Sequence, residues 1–304
     1  MNTYKKPQEL VDGLVRLLSV TRNSDDHFTG LPQIGGVGRV FGGQVIAQAL
    51  MAAQNSVPAE KIAHSLHAFF LRGGKEGPPI DYSIACDFDG RSFANRRVVA
   101  SQTGEDGISR AILNLTASFQ IAEDGLEHQE CSMPDVTPPE RLKSDMDLRR
   151  AVIDAQPDMP ETTRQLMLRP RPIEMRTIDR LHWMNSEPRE PAAHSWFRTA
   201  APLPDDPALH RAVIAYASDY TLLGTSALPH GLSWMRGELT GASLDHTIWF
   251  HRPARADDWL LYATDSPWSG GGRGFNRGRI FTRSGTLIAS VAQEGMIRRR
   301  RSPA

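Results

Sequence analysis

The sequence predicts an α+β fold in which one plan, a buried helix followed by an antiparallel meander, is laid down twice. Phe69-Phe70-Leu71-Arg72 recurs as Trp249-Phe250-His251-Arg252, 180 positions further on. Gly90-Arg91-Ser92-Phe93 recurs as Gly272-Arg273-Gly274-Phe275, 182 positions on, and an arginine follows each phenylalanine by four residues, at Arg97 and Arg279. A nearly constant offset across half a chain marks a duplicated unit.

After a helix over Gln8–Ser19, the stretch Phe41–Gln54 reads as a second helix, with apolar or small residues over nearly all of its surface. Such a surface calls for burial on most sides. Ile62–Arg72, Ile80–Phe88, Ser92–Thr103 and Ile108–Ile121 read as strands, rich in β-branched and aromatic residues and separated by glycine-bearing turns. From about Gly125 to Pro170 the chain becomes charged and proline-punctuated, with one short helix at Asp145–Ala155, and reads as a linker. The plan then repeats. Pro172–Ile178 and His194–Thr199 read as strands, and Asp206-Pro207 caps a helix that runs over Pro207–Leu223 to Gly224. Ala242–Arg252, Trp259–Asp265, Gly274–Thr282 and Thr286–Ile297 form the second meander. Two such sheets joined edge to edge would remove exposed strand edges.

Thirty-five basic and 35 acidic side chains cancel, so no overall field holds a polyanion, which argues against a dedicated nucleic-acid binder. Cys86 and Cys131 have neither metal-ligand spacing nor a disulfide framework, and a reducing cytoplasm is expected. The polar start, Met1 to Leu10, lacks a signal-type apolar region, and no run reaches the length of a membrane span. The end, Ser302-Pro303-Ala304, is not a peroxisomal address, and the basic tail Arg298–Arg301 reads as solvated.

Three polar residues interrupt segments of the second copy that otherwise read as buried. Asp219 lies late in an apolar helix, where lost water and the helix C-terminus both oppose its charge. A catalytic role and a structural ion pair or backbone hydrogen bond are both open for it. Gln293 shares one strand face with Leu287, Ala289 and Val291, and is either a ligand for water or a carbonyl or the cap of a strand end. Ser243 stands at the start of its strand. Gly36-Val-Gly-Arg-Val-Phe and Gly270-Gly-Gly-Arg-Gly-Phe each carry phenylalanine at the third glycine of a dinucleotide fingerprint, at Phe41 and Phe275, and neither begins a strand–helix–strand repeat. Gly224-Thr-Ser-Ala-Leu lacks the second glycine of a nucleophile elbow. His64, His67, His246 and His251 read as packing residues among aromatics.

Val40-Phe-Gly-Gly-Gln-Val-Ile-Ala-Gln-Ala-Leu, His64-Ser-Leu-His-Ala-Phe-Phe-Leu-Arg, Ala117-Ser-Phe-Gln, Ala217-Ser-Asp-Tyr, Leu244-Asp-His-Thr-Ile-Trp-Phe-His-Arg-Pro and Ala292-Gln-Glu-Gly together resemble the acyl-CoA thioesterase II family. The resemblance implies a double hotdog: an N-terminal repeat over 1–124, a linker over 125–170, and a C-terminal repeat over 171–304 that carries the catalysis. It places the catalytic aspartate, hydroxyl and glutamine on Asp219, Ser243 and Gln293. Serine stands where threonine is common, which keeps the hydroxyl and loosens its rotamer.

The implied reaction is hydrolysis of medium- to long-chain acyl-CoA by an activated water, with no metal, nucleotide cofactor or covalent acyl-enzyme. Gly42 and Gly43 are the candidate donors to the developing oxyanion, and Arg72, Arg96 and Arg97 the candidate phosphate contacts. The first copy lacks an acid in Phe41–Gln54, so one productive site per chain is expected. A homo-oligomer, dimer or tetramer, is expected as well. The alternatives are a serine acyl hydrolase built on Ser226 and His230, a hotdog hydratase–dehydratase built on Asp245-His246, and a non-catalytic acyl-CoA binder.

Overall fold

Helix α1 (Pro7–Leu18) opens on a proline and turns Val11, Leu14 and Leu18 inward. A computed structural model of the chain describes residues 6–32, 38–178 and 187–300. The Gly36-Val37 part of the first fingerprint-like run, Arg301 of the basic tail and the two chain ends lie outside those residues.

Two short strands, β1 (Val20–Arg22) and β2 (His27–Gly30), precede α2 (Gly42–Gln54), in which every residue from Gly43 to Gln54 is buried. The meander follows as β3 (Lys61–Phe70), β4 (Ile80–Asp89), β5 (Phe93–Thr103) and β6 (Ser109–Ile121). Beyond Gly125 come α3 (Asp145–Asp154) and α4 (Glu161–Leu168). Cys131, Met133, Val136 and Leu142 pack there against a satellite cluster of Trp196, Trp259, Leu261, Ala263 and Phe281. The second copy comprises β7 (Ile173–Thr177), β8 (Ala192–Thr199), α5 (Pro207–Ser218), the single turn α6 (Leu222–Thr225), β9 (Leu239–Ser243), β10 (Asp245–Phe250), β11 (Leu260–Gly270), β12 (Arg273–Thr282) and β13 (Leu287–Arg299).

The described strands form one antiparallel sheet in the order β1-β2-β4-β5-β6-β3-β10-β13-β12-β11-β8-β7, with β9 beside β13. The two copies join edge to edge, as expected, through β3 and β10. Phe69 stands opposite Asp245 and Ser65 opposite Trp249, with His67 facing Thr247 at the centre. Because the paired residues are themselves related by the 180-residue offset, a pseudo-two-fold axis runs between His67 and Thr247. Helices α2 and α5 pack against each other in the concavity of the sheet, within one hydrophobic core.

The observed elements differ from the sequence reading in several places. Helix α5 stops at Ser218 instead of Leu223, because Asp219 and Thr221 are poor helix formers and the Asp219 side chain is drawn to partners outside its own helix. The strand expected over Ala242–Arg252 divides at Leu244, whose amide donates to Glu294 O and whose carbonyl accepts from Phe70 N. The short edge strands β1 and β2 and the helix α4 carry too little periodicity to be read in advance.

Ile248, fully buried, is paired with Leu66 on one side and Val291 on the other, at the seam of the two copies. Ile248→Ala is expected to destabilise the protein by about 2–5 kcal/mol, measured as a lowered urea midpoint with unchanged slope.

Candidate active site

Helix α5 is apolar along its length and ends on Asp219, which occupies the C-cap with φ −85° and ψ −6°. The Asp219 side chain is only 5 % exposed. A carboxylate at a helix C-terminus meets a partial negative charge and has lost its water. Compensation comes from across the pseudo-axis. The first turn of α2 points at it, and the Gly43 N–H donates to the carboxylate. Gln293 Nε2 donates to Oδ1 at 2.8 Å, and Ser243 Oγ donates to the same oxygen at 3.4 Å. Burial still dominates, pushing the carboxyl up to about 6 against the downward pull of Gln293, Gly43 and Ser243.

Gln293 lies on the helix-facing side of β13 and is fully buried. Its amide nitrogen also donates to His246 Nδ1 at 2.9 Å. With both amide hydrogens used, Oε1 is the acceptor that remains, and it is buried with no hydrogen-bond partner among the described residues. His246 is equally enclosed, and desolvation pushes its imidazole down to about 3, so the ring is neutral. Since Nδ1 accepts, the ring proton sits on Nε2, which donates to Ser218 Oγ at 2.9 Å; that hydroxyl donates in turn to Ala215 O. The chain Ser218–His246–Gln293 therefore fixes which way the Gln293 amide faces. His246 read as a packing residue in the sequence. The available signal was its place in β10, on the inward row with Ile248 and Phe250.

The glycine pair on α2 is a packing requirement of this arrangement. A Cβ on Gly42 would come within 2.7 Å of Asp219 Oδ2 and 2.9 Å of the Phe70 ring. One on Gly43 would strike the Phe41 ring and the Tyr216 carbonyl at 2.5 Å. Of the two expected oxyanion donors, Gly43 is thus already committed to Asp219.

Other sequence candidates fall elsewhere. Arg96 is a correction: it is nine-tenths buried, and its guanidinium is consumed by Ser56, Phe88 O, Asn95 O and Asp89, so it holds β4 and β5 together and has no donor for a phosphate. Arg97 is exposed in an ion pair with Asp87, and Arg72 is exposed with one donor on Ala111 O. Ser226 is buried and donates to Leu223 O, while His230 bonds Ser269, so no serine–histidine pair forms. Asp245 and His246, as neighbours in β10, point to opposite faces of the sheet; Asp245 accepts from Glu294 N. His64 and His251 bond Ser118 and Ser290, and His67 packs edge-on against Trp249.

The same positions in the first copy carry none of this chemistry. Val45-Ile46-Ala47 aligns with Val213-Ile214-Ala215, which sets Met51 against Asp219. The 180-residue offset sets Ala63 against Ser243, and the β5–β6 and β12–β13 registers set Phe119 against Gln293.

Two family models match the chain: one described as acyl-CoA thioesterase over residues 173–296, and one described as acyl-CoA thioesterase N-terminal domain over residues 32–120. The chain is 36% identical to acyl-CoA thioesterase 2 of Haemophilus influenzae over 290 residues, covering 95% of this chain and 98% of that protein. It is 38% identical to human acyl-coenzyme A thioesterase 8, covering 86% and 81% respectively. Among solved structures, acyl-CoA thioesterase II TesB2 from Mycobacterium marinum superposes with a TM-score of 0.73 at 35% identity, over 94% of this chain and 98% of that one.

Because folding raises the carboxyl pKa of Asp219 to about 6, the folded protein binds the extra proton. The associated stability is fully present below the ordinary aspartate value and is lost as pH rises through 6. Asp219→Asn is therefore expected to exceed the parent in stability at pH 8, by about 2–3 kcal/mol, with the gap closing by pH 4. Urea melts at the two pH values check this.

Proposed function

The chain belongs to the acyl-CoA thioesterase family and has its double hotdog fold, and from that premise we propose that it hydrolyses medium- to long-chain acyl-CoA to a fatty acid and free CoA through a water held by Asp219, Ser243 and Gln293. The observation that carries this reading is the convergence of a buried carboxylate of raised pKa with an amide and a hydroxyl at the N-terminus of α2.

The water donates one hydrogen to Asp219 and the other to Gln293 Oε1, which leaves a lone pair facing the thioester carbon. As the C–O bond forms, Asp219 takes the proton as general base; a carboxyl near 6 is ionised at neutral pH and basic enough to accept it. Ser243 donates to the carboxylate oxygen that Gln293 also holds, and so helps to fix the base. Negative charge on the thioester oxygen is met by the Gly42 amide, in the turn that already supplies Gly43 to the carboxylate. Collapse of the tetrahedral adduct breaks the C–S bond, and the departing thiolate of CoA takes up the proton that Asp219 accepted, which restores the base.

The proposal extends to the setting. The enzyme works in the cytoplasm as a homo-oligomer, a dimer or tetramer. Phe69 and Trp249, 57 % and 39 % exposed on either side of the pseudo-axis, support a covered outer face. Among the described residues no helix is long and apolar enough to cross a membrane.

Asp219→Ala is expected to lower kcat by about 10²–10⁴-fold while the protein remains folded. A thiol-release assay over a series of acyl-CoA chain lengths, alongside circular dichroism, checks this. Wild-type specific activity in the folded fraction of the variant would make Asp219 structural.

A further inference from the structure

Strand β3 ends beside the candidate active site, and the residues that follow it meet the segment entering α2. Val40 N donates to Gly74 O, and Arg39 and Lys75 form an antiparallel bridge. The buried Gln102 side chain ties this loop down, accepting from Lys75 N and donating to Lys75 O and Pro78 O. Arg39 and Arg72 stand exposed on the two joined segments. The Arg39 side chain runs over Gly73, where a Cβ would lie 3.8 Å from its Cδ and Nε. Its guanidinium has no hydrogen bond or ion pair among the described residues, and residues 33–37, just before it, carry no charge. Arg72 spends one nitrogen, Nη1, on Ala111 O. Of the neighbouring acids, Glu76 turns its carboxylate to the Gly38 amide, and Glu105 sits 3.9 Å from Lys75.

The duplication provides a comparison within the same chain. The offset of 180 sets Arg252 against Arg72 and Arg255 against Lys75. Arg252 is paired with Glu127 at 2.7 Å, and Arg255 with Asp205 at 2.9 Å and Asp257 at 3.0 Å. The cations that follow β10, on the side where Met51 stands in place of Asp219, are therefore neutralised within the chain. Arg39 and Arg72, on the side of Asp219, keep their charge for an incoming anion.

We propose that Arg39 and Arg72 bind the diphosphate of the coenzyme A half of the substrate, at a mouth formed by the first copy. The inference rests on the thioesterase reading above. Guanidinium forks suit phosphate oxygens, and the distances agree. Gly42, the proposed donor to the thioester oxygen, comes three residues after Arg39, at most about 10 Å along an extended chain. Phe70, whose ring lies 2.9 Å from the place of a Cβ on Gly42, comes two residues before Arg72. Between its sulfur and the diphosphate the pantetheine arm has about as many bonds as four extended residues, roughly 14 Å. The arginine side chains cover the difference. This assignment keeps Arg72, adds Arg39, and replaces Arg96, whose donors are committed to the fold.

The test uses acyl-CoA, the matching acyl-dephospho-CoA, which lacks the ribose phosphate, and the acyl-pantetheine thioester, which has no phosphate. In Arg39→Gln and in Arg72→Gln, kcat/KM for the first two is expected to fall about tenfold, through KM. The value for acyl-pantetheine is expected to stay at that of the parent, which also reports an intact fold. Arg252→Gln, which removes the same charge after β10, is expected to leave all three unchanged. An equal loss in Arg252→Gln reduces the effect to overall charge and overturns the inference. Unchanged values in Arg39→Gln and Arg72→Gln overturn it too, and leave the hydrolase reading intact. A loss confined to acyl-CoA also overturns it, and assigns the arginines to the ribose phosphate. Parent protein that turns over none of the three thioesters removes the hydrolase reading and this inference with it.

Discussion

A single carboxylate, Asp219, is buried where the C-terminus of one core helix meets the N-terminus of the other, and the rest of the site is arranged around its cost. Its own helix disfavours the charge, and the lost solvent disfavours it more. The first turn of α2 offsets both through the Gly43 amide and the positive end of a 13-residue helix. The partners are too few to cancel desolvation, so the carboxyl settles near 6, a value suited to a base at neutral pH. The side chains proposed to act on the thioester come from the second copy, but the helix end that offsets the charge of Asp219 comes from the first. Neither copy contains a complete site.

The two copies differ in polarity at the equivalent positions. In the first, Met51, Ala63 and Phe119 fill the positions of Asp219, Ser243 and Gln293 with apolar side chains. Two of its buried polar residues, Gln44 and Gln48, are turned to Leu31 O and the Tyr82 hydroxyl, which anchors the loop after β2. A register shift lies between Ala63 and Ser65 in β3, and the break at Leu244 between β9 and β10 falls 180 positions later, at the matching place. Both copies have the irregularity, and only the second carries a hydroxyl beside it, at Ser243.

The sequence carried the fold well, because repeats, turn glycines and strand periodicity are local signals. The offset indicated two copies, and an edge-to-edge join was the expectation drawn from the need to cover strand edges; the structure places it at His67 and Thr247. Asp219 and Gln293 were legible as polar residues in apolar settings. Ser243 was not, except through family resemblance, since a serine near a strand start carries no periodic signature. The phosphate candidates failed at Arg96 for a definite reason: the identity of an arginine says nothing of whether its five donors are spent, and here Ser56, Phe88, Asn95 and Asp89 use them. His246 was misread for a related reason. Its neutral, doubly bonded ring packs like an apolar residue and also sets the Gln293 amide, and only the contact with Ser218 reveals the second role.

The central claim is that Asp219 is a buried carboxylate with a pKa raised into the catalytic range by desolvation. Titration of the protein carrying ¹³C-labelled aspartate, with the Asp219→Asn variant used to assign its carboxyl resonance, measures that value directly. A midpoint near pH 6 is the predicted result. A midpoint near the ordinary aspartate value, about 4, would mean that solvent reaches the carboxylate, and the account of its basicity would be wrong.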